Sequence, residues 1–103
     1  MNTTPFERFA NVANRPGLYG IRTLDQATSF MLGFDAALGG TFLRGFSDWL
    51  TRPSGHGRNL VWPLLVTRRI LSEIPNDPPV VEDERVVAFF VLVAEFLDST
   101  EHG

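Results

Sequence analysis

The sequence contains no cysteine. That excludes a disulfide framework, a thiolate nucleophile and any Cys-based zinc site. Lysine is absent too, and all nine basic residues are arginine, a bias better ascribed to a GC-rich genome than to a binding adaptation. Histidine occurs only as His56 and His102, and neither stands at ligand spacing from the other or from a carboxylate pair. No His-Glu-x-x-His, Walker sequence or strand-turn-helix nucleophile elbow occurs. Long apolar runs are missing as well. Val86 to Ala94 is nine residues, against the roughly 20 that a membrane helix needs. Met1 to Asn14 carries Glu7 and Arg8 amid polar neighbours, unlike the apolar core of a secretory signal. The expectation is a cytoplasmic protein that is not an enzyme, with no cofactor, metal or membrane partner.

What is present describes a folded domain. The 103 residues are 44% apolar and 20% charged, ordinary values for one globular domain spanning 1–103. Nine phenylalanines and two tryptophans supply material for a substantial core. Charge is divided along the chain. Residues 1–72 hold eight arginines against Glu7, Asp25, Asp35 and Asp48, a net +4. Residues 73–103 hold Arg85 against eight carboxylates, a net −7. Such asymmetry steers partners and says little about fold.

Helical punctuation recurs. Thr4-Pro5-Phe6-Glu7 reads as a capping box with proline at the first helical position, and Phe6, Phe9, Ala10 and Ala13 follow on one face. Arg15-Pro16-Gly17-Leu18-Tyr19-Gly20 reads as a rigid turn, its glycines free to take positive φ. Thr23 and Gln26 form a second box ahead of an apolar stripe through Leu24, Ala27, Met31, Phe34 and Leu38, ended by Gly39-Gly40. Gly33 inside this helix costs roughly 1 kcal/mol relative to alanine, which predicts a close helix crossing there. A third helix is predicted to begin at Thr41 and stop at Pro53. A fourth is predicted from about Leu60 to Ile74, with Val61, Leu64, Leu65, Leu71 and Ile74 as its apolar residues and Pro75 as its stop. Glu82-Asp83-Glu84 suits a helix N-terminus, and Val86, Phe89, Phe90, Val93 and Leu97 keep helical spacing behind it. A buried strand is the rival reading for this valine-rich segment, and its length and acidic start favour helix. The expected fold is all-α, a compact bundle of about five helices with a central apolar C-terminal helix in full burial.

Candidate functional groups are few. Ser54-Gly55-His56-Gly57 could be drawn as a phosphate nest, and a plain surface loop accounts for it better. Three consecutive carboxylates on a helix point in different directions, so Glu82, Asp83 and Glu84 do not converge on a metal. With Glu95, Asp98 and Glu101 they could form an acidic face for a basic protein. Arg52, Arg58, Arg68 and Arg69 lie close in sequence, yet a chain of pI 5.2 lacks the concentrated charge that phosphate binding needs. The loop after the third helix is also too long and Pro-rich for a helix-turn-helix, so nucleic acid is not an expected partner. Trp49 and Trp62 read as core, and Tyr19 as a pin between the first two helices.

The Arg15-Pro16-Gly17-Leu18-Tyr19 turn, with Gly33-Phe34, Asp48-Trp49, Trp62 and Phe89-Phe90 to Asp98 in order, resembles a group of small bacterial proteins of similar length. That group carries an Arg-Pro-Gly-Met-Tyr turn, a tryptophan-bearing helix and an acidic terminal helix rich in phenylalanine. This chain departs from it in Leu18, where methionine is usual, and in Gly20 directly after Tyr19. The group includes uncharacterised and immunity-type proteins of polymorphic toxin systems. The resemblance implies a cytoplasmic protein that binds and neutralises a cognate toxin. Glu82, Asp83, Glu84, Glu95 and Asp98 are then the expected partner-binding residues, with Arg15, Pro16, Gly17, Tyr19, Trp49 and Trp62 as structural markers. The alternative is a small regulatory or adaptor subunit of a defence or DNA-associated complex. An enzyme built on the His56 loop is a third option.

Overall fold

A computed structural model describes residues 4–51, 61–75 and 81–101. Five α-helices and one 3₁₀ turn account for most of them, with no strand among the described residues. The chain is all-α. Helix α1 spans Pro5–Asn14, the 3₁₀ turn Pro16–Tyr19, α2 Leu24–Ala37, α3 Phe46–Leu50, α4 Trp62–Glu73 and α5 Val81–Glu101. The predicted loop with Ser54, His56 and Arg58 lies outside the described residues, as do Arg52 before it, residues 76–80 and His102.

Capping chemistry sets the first two boundaries. Thr4 Oγ1 accepts the Glu7 N–H at 3.1 Å, with Pro5 in the first helical turn. At α2 the box is reciprocal. Thr23 Oγ1 accepts the Gln26 N–H at 3.2 Å, and Gln26 Oε1 accepts the Thr23 N–H at 3.2 Å and the Arg22 N–H at 2.8 Å. The same helix ends in a Schellman motif. The Gly40 N–H reaches the Asp35 carbonyl at 2.8 Å and the Gly39 N–H the Ala36 carbonyl at 3.0 Å. Both glycines have φ near +75°, where a side chain would be strained.

Several expectations need correcting. The third helix does not begin at Thr41. Thr41 Oγ1 donates back to the Leu38 carbonyl at 2.8 Å, and Asp35 Oδ1 takes the Leu43 N–H at 2.8 Å. These bonds hold 41–45 as turns, and Gly45 at φ +86° admits only the short α3. Gly33 marks no close crossing among the described residues, since a Cβ there would meet none of their atoms within 4 Å. Of the two glycines in the Arg15–Gly20 sequence, Gly20 takes positive φ as the cap that ends the 3₁₀ turn, and Gly17 within the turn does not.

Helix α5 packs on α2 and α4, and α3 packs on α4. The core draws Phe9 and Val12 from α1, Leu24, Ala27 and Met31 from α2, and Phe46 from α3. Trp62, Val66 and Ile70 come from α4, while α5 adds Phe89, Phe90, Val93 and Phe96 among others. Its rings form one continuous chain. From Tyr19 it runs through Phe30, Phe34 and Phe42 to Phe9 and Phe90. It continues by Phe89 and Trp62 to Phe46, which meets both Trp49 and Phe96. Phe6 joins at Phe42, so every aromatic residue of the sequence belongs to it.

Candidate functional site

Full burial of the last helix is not what the structure shows. Val86, Phe89, Phe90, Val93, Phe96 and Leu97 face the core, but Val87 is 59% and Val91 50% exposed. Glu84, Val87, Val91, Glu95 and Asp98 recur at steps of three and four, so they fall on one stripe of the helix. Each of the five is exposed, as are Asp83 and Ala94 beside them. At 1.5 Å rise per residue the stripe runs about 20 Å. Two valines at its middle are flanked by carboxylates at both ends.

Glu82 stands apart from the other predicted acidic residues. It is half-buried and turned inward. Its Oε2 accepts the Leu24 N–H at 2.8 Å, capping the start of α2 from α5. Its Oε1 accepts from Arg85 Nη1 at 3.3 Å. Arg85 is only 5% exposed, and its Nε and Nη2 donate to the Ile74 carbonyl at 3.2 and 3.0 Å, at the end of α4. One glutamate and one arginine thus fasten α5 to an end of α2 and an end of α4. The physical reason is backbone satisfaction: helix ends leave orphan N–H and C=O groups that must find partners. Glu82 therefore belongs to the scaffold, whereas Asp83, Glu84, Glu95 and Asp98 face outward.

This inward turn also shapes the electrostatics. Arg85 is the only basic residue of α5. With its guanidinium drawn into the Glu82 and Ile74 contacts, no cation of α5 lies on the outer stripe, whose charges are all negative.

The remaining predicted residues are scattered. Arg15 precedes the 3₁₀ turn and Pro16 starts it. Tyr19 is 47% exposed and meets Phe30 of α2 edge-on at 6.0 Å. A cleft of about 380 Å³ lies between α1 and this turn, lined by Asn11, Asn14, Arg15, Leu18 and Tyr19. Trp62 is buried against Phe89, with ring planes 8° apart, and Trp49 is half-buried beside Phe96. On α4, Arg69 pairs with Glu73 at 3.7 Å, and Arg68 is exposed together with the apolar Leu64 and Leu71.

Sequence reasoning found the carboxylates of the α5 stripe and missed its valines. The available signal was register: Val87 and Val91 are offset from the Val86–Phe89–Phe90–Val93 core positions and in step with Glu84 and Glu95. No group of three or more possible metal-ligating side chains occurs among the described residues. Among them, too, no helix is long and apolar enough to cross a membrane. Comparison with protein-family models, curated proteins and solved structures finds no match.

Proposed function

We propose that this chain is a non-enzymatic protein-binding module whose docking face is the outer stripe of α5. Within that reading it is an immunity protein that occludes a basic surface on a cognate bacterial toxin domain. The observation that carries it is the stripe itself: exposed Val87 and Val91, bounded by Glu84, Glu95 and Asp98. Apolar contact at the centre with like charge at the rim is how protein interfaces divide affinity from steering. A toxin that binds nucleic acid presents a basic surface, which the −7 charge of residues 73–103 complements. The toxin class rests on the resemblance of the Arg15–Tyr19 turn and the acidic terminal helix.

The test is co-expression with the toxin domain encoded beside this chain, scored by cell survival and by co-purification. A Val91→Arg/Glu95→Arg double variant inverts the stripe at two exposed positions. We expect the wild-type chain to protect and co-purify, and the double variant to lose both while keeping its far-UV circular dichroism. Absence of complex and protection with the wild-type chain would sink the proposal. The adaptor reading draws on Arg68, exposed with Leu64 and Leu71 on α4. It gains if Arg68→Ala/Arg69→Ala abolishes the function that the α5 variant leaves intact.

A further inference from the structure

A pocket of about 400 Å³ opens where the start of α1, the α2–α3 turns and the second half of α5 meet. Its volume falls within the roughly 300–1,000 Å³ of small-molecule sites. Buried Phe42, Phe96 and Leu97 line its floor, and exposed Phe6, Thr41 and Arg44 stand at its rim. Phe6 packs its ring on Phe42 at 5.4 Å yet remains 54% exposed. An aromatic ring left half bare beside an apolar floor gains by being covered.

The polar side of the pocket is equally specific. Arg44 carries the only charge among the described lining residues, and no described residue forms an ion pair with it. Thr41 uses its hydroxyl proton on the Leu38 carbonyl, so among the described lining side chains Arg44 is the donor left for a ligand. One guanidinium matches one carboxylate in two-point geometry, whereas a doubly charged phosphate would be half neutralised.

We propose that this pocket binds a small apolar carboxylate, with its chain or ring on Phe42, Phe96 and Leu97 and its head on Arg44. Such a ligand would also cover Phe6. The site uses the core-facing side of α5, so it stands or falls independently of the outer stripe.

Titration of the full chain with octanoate, followed by amide nuclear magnetic resonance shifts, tests this. Octanol serves as the uncharged control. Saturable one-to-one binding is expected, with the largest shifts at Thr41–Arg44 and Phe96–Leu97. Arg44→Gln should weaken octanoate binding about five- to tenfold and leave octanol unchanged. Thr41→Trp, placed from the exposed rim, should block both ligands. Should that variant misfold, Phe6→Ala removes a rim wall instead and should weaken both. No saturation below the micelle-forming concentration would overturn the proposal. So would shifts centred on Val87 and Val91, or an octanoate affinity indifferent to Arg44→Gln.

Discussion

At the scale of single residues, Arg85 is the side chain most committed to the fold. It is buried, and it serves the Ile74 carbonyl twice and Glu82 once. Arg85→Ala would remove the guanidinium donors of that carbonyl and leave the inward carboxylate with the Leu24 N–H but no counter-charge from Arg85, and breaking a buried charged pair by removing one partner typically costs about 3–5 kcal/mol. Because Glu82 is half-exposed, the low end applies, and we expect a loss of about 3 kcal/mol in urea unfolding. Glu82→Gln keeps an acceptor for the Leu24 N–H and gives up only charge, so it should cost about 1 kcal/mol. The order of the two variants is the decisive result. Equal costs would mean that the carboxylate charge, not the guanidinium, holds the junction. Nothing in the sequence marks this pair, since Glu82 reads like its neighbours Asp83 and Glu84 until α2 and α4 are in place.

At the scale of elements, legibility followed locality. The start of α1 and both ends of α2 were readable, because Thr4, Thr23, Gln26, Gly39 and Gly40 act on backbone groups within a few residues. The start of α3 was not, because Thr41 can bond forward or backward and the Asp35–Leu43 bond decides between them. Gly33 misled for the converse reason: a mid-helix glycine suggests a neighbour, and none of the described residues is one. Gly33→Ala should therefore raise stability by about 0.5–1 kcal/mol, measured as a higher urea midpoint with unchanged slope. A drop in stability would reveal a tight neighbour after all. The α5 stripe yields the opposite pairing of stability and use. Valine is a poorer helix former than alanine, and at sites 59% and 50% exposed it gains far less burial in return than a core valine does. Val87→Ala and Val91→Ala should each stabilise the free chain by about 0.5 kcal/mol while weakening partner binding. Stabilisation without any loss of binding would remove the stripe from the docking face.

At the scale of the molecule, the aromatic chain decides whether the helices unfold together. Phe46 is its junction, fully buried and in ring contact with Trp49, Trp62 and Phe96 at 6.1, 5.4 and 4.9 Å. Those rings belong to α3, α4 and α5, so one side chain from a helix of five residues ties three elements. Such a helix is too short to persist alone, and its order comes from this packing. Phe46→Ala removes a whole ring from a closed site and should cost about 3–5 kcal/mol. Phe6→Ala at the half-exposed end of the chain should cost much less. The two variants also differ in kind. Both tryptophans touch Phe46, so their fluorescence reports the junction, while far-UV circular dichroism reports all five helices. If the rings make one cooperative core, the two signals of the wild-type chain should follow a single urea transition. They should stay coincident in Phe46→Ala at a lower midpoint. A fluorescence transition that precedes loss of helix in the wild-type chain would show instead that α3 and the tryptophans detach first. The pocket floor at Phe96 would then open before the α5 helix melts.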